Sequence, residues 1–352
     1  MRLDLLKAVL PLVIGGFIMT GCSDDGSVTE QADYAPVLED ISNDVIVDTY
    51  HRLAENASTM HNLILDLNAS VTVENFEAAK QAWVDTREPW EQSEGFLFGP
   101  VDTEGIDPSI DSWPVNKTDL QLVLDSGDEL TYTFVNSLEG TLKGFHTIEF
   151  LLWSADGSKQ ATDMTARELE YLVACSEVLA SDTKALSDAW DPAEGGFVTN
   201  LMEAGEASSV YISQKAALEE LANGILIIAD EVGNGKINDP LEQEDLTLEE
   251  SQFSDNSKTD FTNNIVSIQN IYTGVNGRGL TDVVSEENAD LDTELKEKIQ
   301  DAIDAIQAIP GTFTDAIPAS SPTRPDAEAA QAKVRELQSV FEEKLIPLIS
   351  NL

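Results

Sequence analysis

Apolar residues recur every three or four positions along almost the whole of this chain and nowhere alternate at period two for long, which confines it to helices. Val37, Ile41 and Val45 open the pattern after Pro36, and it runs on through Leu53 and Met60 to Leu67. A second run covers about residues 73–98 with Pro89 inside it. Proline lacks the N–H that a helix interior needs, so a kink or break is expected near Glu88. Further helices are expected near residues 117–125, 129–138, 141–153, 165–190, 208–230, 258–272, 293–309 and 326–349. Gly99–Asn116 is rich in Gly, Pro and Asp and reads as an ordered loop, packed down by Val101, Ile106, Ile110 and Trp113. The Gly233-Asn234-Gly235 run reads as a helix stop and turn. The surrounding 230–239 segment fails the pattern of a calcium loop, because Val232 stands at its third position and no Glu closes the register. The sequence therefore predicts an all-α fold of two packed helical-bundle domains, residues 36–190 and 191–352, divided at the Asp-Pro-Ala-Glu-Gly-Gly segment 191–196.

The first residues say where such a body would be sent. Arg2 and Lys7 precede an apolar stretch from Ala8 to Met19, too short to span a bilayer comfortably, which closes on Met19-Thr20-Gly21-Cys22. This resembles a lipoprotein signal peptide over residues 1–21, with Cys22 as the lipidated first residue of the mature chain. Residues 22–35 carry no apolar period and read as a flexible acidic tether. The expected location is outside the cytoplasm, lipid-anchored at the outer membrane on its periplasmic face or at the cell surface, with the acyl chains as the only membrane contact.

Charge narrows the partners. The formal net charge of −45 becomes −46 once the leader, with one net positive charge, is removed. That excess argues against nucleic acid and against docking on anionic lipid, and favours cationic partners including metal ions. After Cys22 only Cys175 remains, within the apolar run 169–179, so it reads as a small buried residue and not as half of a disulfide or a metal ligand.

The chain holds three histidines. His146 lies in Gly-Phe-His-Thr-Ile-Glu-Phe-Leu-Leu-Trp, with Glu149 three residues on and therefore on the same helix face. Spacing alone says little. With 65 acidic residues among 352, any histidine has about an even chance of a carboxylate at i±3 or i±4; His51 has Glu55, and His61 has none. The apolar neighbours of His146 are more telling, since they imply that both groups are buried and need partners. Two readings remain: a satisfied core pair, or two ligands of a metal site on one helix.

The stretch Glu-Gly-Thr-Leu-Lys-Gly-Phe-His-Thr-Ile-Glu-Phe-Leu-Leu-Trp resembles the signature of the imelysin family, Gly-x-His-x-x-Glu, matched here by Gly144, His146 and Glu149. The blocks at residues 82–102 and 106–114 are similar to the family's N-terminal region, and residues 251–274 to its C-terminal block. The resemblance implies an all-helical two-domain fold, a site near the domain interface, association with iron uptake, and a historical label as the M75 peptidases. Carried over by position, it makes His146 and Glu149 metal ligands, Glu94 a third ligand, and Arg87 a charge partner or anion holder. Asp111, Trp113 and Ser254 would line the same cleft, or else serve as caps and turn residues.

The peptidase label finds no recognisable motif. A zinc peptidase wants His-Glu-x-x-His, and a serine hydrolase an elbow such as Gly-x-Ser-x-Gly; neither occurs. One His with several carboxylates suits a hard metal such as iron. The leading expectation is a membrane-tethered protein that captures iron, or an iron-bearing small ligand, and passes it to a transporter. The alternative is a metallopeptidase of the M75 type acting on extracellular protein.

Overall fold

Four of the eight long helices start where a side chain takes up an unpaired N–H group. The computed structural model describes residues 33–352. Ala35–Asp40, a π-helical Ile41–Val47 and α1 (Asp48–Ala69) run on without a break. Thr72 caps α2 (Val73–Glu91) by accepting from the Asn75 N–H. After α3 (Gly144–Trp153), a reciprocal Thr165–Glu168 capping box starts α4 (Ala166–Trp190). Ser213 caps α5 (Gln214–Glu231), then comes α6 (Ser257–Thr273), and Asn288 caps α7 (Ala289–Gln307). The last long helix is α8 (Arg324–Val340). Among the described residues there is no strand, and no helix is long and apolar enough to cross a membrane. The leader, Cys22 and the tether up to residue 32 lie outside the described residues.

Helix α1 packs against α2 and α4, α3 lies on α2 and α4, and α7 pairs with α8. Helix α6 contacts α2, α5 and α7, so helices from both sides of the 191–196 segment belong to one compact unit, 33–352. That segment folds back on the end of α4, with the N–H of Gly195 on the carbonyl of Asp188 (2.8 Å) and that of Phe197 on Ala189 (3.0 Å).

The expected helices are present, with three departures. Pro89 does not break α2. The carbonyl of Asp85, left without its usual partner by the proline, accepts from Asn56 Nδ2 of α1 at 2.7 Å. The helix ends instead at Glu91, and Glu94–Phe96 form a 3-10 turn, short of the expected Phe98. The second departure is at Gly233-Asn234-Gly235, where the chain does not stop. It carries on from α5 as a π-helical turn, Val232–Lys236. Gly233 allows α8 to approach: a Cβ there would lie 3.3 Å from Val334 and Arg335, and its carbonyl accepts from Gln331 Nε2 at 3.0 Å. Third, the helix expected over 208–230 begins only at Gln214, because Ser213 in extended conformation is its cap. The loop 99–116 packs down as expected, burying Val101, Ile106 and Ile110 under two short helical turns, Pro100–Thr103 and Asp107–Ile110.

One glycine fixes how α3 meets this loop. Gly144 sits at φ +75°, and a Cβ there would lie 2.3 Å from the carbonyl oxygen of Ile110. The start of α3 therefore touches the backbone just before Asp111. Replacing Gly144 by Ala is expected to cost roughly 1–3 kcal/mol, since both the positive φ and the overpacking oppose it. Chemical denaturation measures this, and a variant as stable as the parent would show that the contact imposes no constraint.

Candidate functional site

Arg87, on the inner face of α2, is fully buried, and its guanidinium gathers carboxylates from four parts of the chain. It pairs with Asp111 in the loop, with Glu91 one turn along α2, with Glu250 (3.0 Å) just before α6, and with Asp260 (3.6 Å) on α6. Asp111 is held further by Trp90 Nε1–H at 2.7 Å. A second buried cation, Lys236, donates to both oxygens of Glu94 (3.0 and 2.9 Å) and to Glu250 (3.0 Å), and lies 3.6 Å from Glu91.

His146 stands beside this cluster, 1 % exposed. Its Nδ1 is 3.1 Å from Glu149 Oε2. The other oxygen of Glu149 accepts three hydrogen bonds, from the N–H groups of Phe253 (3.0 Å) and Ser254 (2.8 Å) and the Ser254 hydroxyl (2.7 Å). Glu149 is thus occupied on both oxygens. It clamps the imidazole and ties α3 to the segment before α6. His146 Nε2 points the other way, 3.2 Å from Asp111 Oδ1 but without the alignment of a hydrogen bond. Glu250 Oε2 and Asp260 Oδ2 also make no hydrogen bond within the protein.

These positions set the protonation states. Burial would lower the pKa of His146, but Asp111 and Glu149 outweigh it and raise it to about 9. Burial would raise Asp111, yet Arg87 and His146 hold it well below the usual carboxylate range. Burial pushes Glu91 and Glu94 well above that range against the pull of Arg87 and Lys236, and pushes Asp260 up to about 6. Six buried carboxylates (Glu91, Glu94, Asp111, Glu149, Glu250, Asp260) therefore face at most three cations (Arg87, Lys236 and protonated His146). Such an excess is costly in a dry interior and is relieved either by protonation or by a further cation.

The donor set fits a hard cation. Asp111, His146 and Glu250 each offer a ligand atom within 4.8 Å of the others, and so do Glu91, Glu94, Asp111 and Glu250. A cavity of about 260 Å³ opens beside them, lined by Glu94, Asp107, Asp111, Trp113 and Glu231 among others. Burial raises Asp107 to about 6, helped by Asp111 and Glu231.

All seven residues expected at the site are brought together by the fold. His146 keeps a free nitrogen facing the acidic groups. Glu149 falls outside both ligand groups and orients His146 with help from Ser254. Asp111, expected only to line a cleft, is common to both groups, while Glu94 belongs to the one that Lys236 occupies. Trp113 stands at the cavity, its ring centroid 6.1 Å from that of His146. Glu91, Lys236, Glu250 and Asp260 were not anticipated. Glu250 and Asp260 flank and enter the 251–274 block, which marks them; Lys236 lies in the segment that reads as a turn.

The sequence matches the family model described as Imelysin (peptidase M75) over residues 46–341. It is 28 % identical over 319 residues to Iron-regulated protein A of Synechococcus elongatus, covering 89 % of this chain and 86 % of that protein. The crystal structure of an iron-regulated protein A precursor from Parabacteroides distasonis has a TM-score of 0.76 at 27 % identity, with 87 % of this chain and 94 % of that one covered. An imelysin-like protein from Psychrobacter arcticum has a TM-score of 0.73 over 90 % of this chain and 95 % of that one; at 15 % identity it supports the fold alone.

The His146 clamp has a pH signature. A histidine raised from 6.5 to about 9 contributes stability that is complete below pH about 6.5 and is lost as pH rises through about 9. Ring-proton NMR of the metal-free protein should show His146 titrating near 9, and Glu149→Gln should move it down toward 6.5. A midpoint already near 6.5 in the parent would remove the clamp from the account.

Proposed function

The chain belongs to the imelysin family, and from that premise we propose that it captures iron as a cation at the buried His146 site. The observation that carries this reading is the excess of buried carboxylates around a histidine nitrogen that has no hydrogen-bond partner and is aimed at them by a fully engaged Glu149. His146, Asp111 and Glu250 would hold the ion. Glu149 keeps Nδ1 as the donor, so that Nε2 is the nitrogen that gives up its proton on binding. The name of the Synechococcus relative, Iron-regulated protein A, supports iron over other hard cations. Nothing in the geometry favours peptide hydrolysis: the other two histidines are engaged elsewhere, His51 with Asp191 (2.7 Å) and His61 with Ser176 (2.9 Å).

The same reading gives the first residues a role. Lipidation at Cys22 would hold the protein at a membrane, and the acidic tether would let it turn toward a transporter that accepts the ion. The residue run Met19-Thr20-Gly21-Cys22 supports this.

Calorimetric titration of metal-free protein with ferrous iron under anaerobic conditions, and with ferric iron, tests the site. Glu149→Gln is expected to weaken binding by about 10–100-fold, as loss of a partner that orients a ligand does, and His146→Ala by more. Equal uptake by the parent and His146→Ala would sink the assignment. For the anchor, cells fed labelled fatty acid should mark the parent chain, whereas Cys22→Ser should carry no label and leave the membrane fraction. A Cys22→Ser chain that remains labelled would overturn it.

A further inference from the structure

Lys236 occupies the four-carboxylate group as an ion would. Its Nζ touches three of the four members, Glu91, Glu94 and Glu250, and its side chain is 1 % exposed. The ligand atoms of those three and of Asp111 lie within 4.8 Å of one another. An ammonium shares the charge of a monovalent cation and its preference for oxygen, so this group already holds a cation supplied by the chain. An ion of higher charge bound by the same oxygens would need them free of it, because two cations in one dry carboxylate cluster repel strongly.

The surroundings of Lys236 leave it a way out. It ends the π-helical turn Val232–Lys236, a wider and less common form of helix than the α-helix on either side. Its neighbour Gly235 has nothing within 4 Å of where a Cβ would stand. The ammonium lies 5.8 Å from the ring of Trp113, at the edge of the acidic cavity. That cavity is lined by Asp107 and Glu231, carboxylates outside the four-member group, which would receive a displaced ammonium.

Resting on the reading that a cation is held by Asp111 and Glu250, which the four-carboxylate group shares with the His146 group, we propose that Lys236 is a placeholder: it fills the carboxylate group in the metal-free protein and swings toward Glu231 when a multivalent cation enters. It thereby sets a threshold. An ion binds only if its gain over an ammonium exceeds the cost of moving Lys236, so divalent and trivalent ions pass and monovalent ones do not. Lys236 is a positioning and selectivity residue here, holding the carboxylates in place in the metal-free protein without being a ligand.

Two measurements on the full mature chain, with manganous ion as an air-stable probe beside ferrous iron, decide this. The first is lysine acetylation of the unmutated protein read by mass spectrometry. Lys236 should be protected without metal and become labelled several-fold faster at saturating metal, while the exposed Lys184 stays unchanged as a control. Continued protection of Lys236 with metal bound would overturn the proposal. The second compares Lys236→Met with the parent. The variant should melt lower when metal-free, bind metal at least tenfold more tightly, and gain more in Tm on loading. Equal or weaker binding by a folded Lys236→Met, with the parent still binding, would overturn the placeholder and leave cation capture standing. Failure of the parent and the variant alike to bind would sink the capture reading and the placeholder together. Binding by Lys236→Met alone would overturn the placeholder and the capture reading of the parent, since Lys236 would then be a permanent occupant of the group. Should Lys236→Met fail to fold, the labelling result stands by itself.

Discussion

A guanidinium removed from water must find its charge and its hydrogen bonds inside the protein, and Arg87 finds them in four separate stretches of chain. Asp111 comes from the loop after α2, Glu91 from α2 itself, Glu250 from the segment before α6, and Asp260 from α6. The ring of Phe145 on α3 covers it, with the guanidinium carbon 5.0 Å from the ring centroid. Removing one partner of such a group leaves an uncompensated buried charge, which typically costs 3–5 kcal/mol, so the packing of these segments is coupled through one side chain. Two further ties follow the same path. Gly144 brings α3 onto the backbone of Ile110, and Glu149 bonds α3 to Phe253 and Ser254. The loop, α3 and the start of α6 therefore cannot shift independently of the site.

That rigidity explains how the cluster tolerates its own charge. A stable interior does not collect six carboxylates around three cations without compensation, since hydrophobic residues of similar volume would fit at lower cost. The cost is borne partly by protonation, which burial promotes at Glu91 and Glu94, and partly by Arg87 and Lys236. The balance is tuned at the position of Asp111. Arg87 and His146 keep it ionised, Trp90 Nε1–H bonds it, and with Glu250 it is common to both possible ligand groups. Asp111, which lines the acidic cavity, is thus a carboxylate from which no proton need be removed.

Helix positions were legible because burial of an apolar stripe is a local, periodic demand. Where the reading departed from the structure, a distant residue had altered the local rule. Pro89 reads as a breaker only until Asn56 takes up the carbonyl it leaves unpaired. The glycines at 233 and 235 read as a stop only until α8 packs against one of them and the turn winds on. The site divides in the same way. His146, Arg87 and Glu94 were marked by the family resemblance, and burial of His146 followed from its apolar neighbours. Glu250 and Asp260 are two among 65 acidic residues; only their place beside and within the 251–274 block marks them, since nothing local separates a buried carboxylate from a solvated one. Lys236 was hidden most completely, for a single lysine after Gly-Asn-Gly looks like the solvated tip of a turn, and only the continuation of α5 carries it inward.

The spacing of Gly-x-His-x-x-Glu then has a physical reading different from the one it first suggests. Three residues apart on a helix, His146 and Glu149 share a face, and the simplest inference is two ligands for one ion. In the folded chain the carboxylate is already engaged, one oxygen on the imidazole and the other on three donors from the segment 253–254. The same spacing that would let both bind a metal lets one aim the other. The glycine completes the set: at φ +75° and against Ile110, it is the residue that admits the helix to the backbone beside Asp111. Gly144 sets the distance, Glu149 sets the direction, and His146 alone of the three presents an atom to the charged cluster. The acidic partners for that atom come from elsewhere in the sequence, which is why a motif so short can mark the site without containing it.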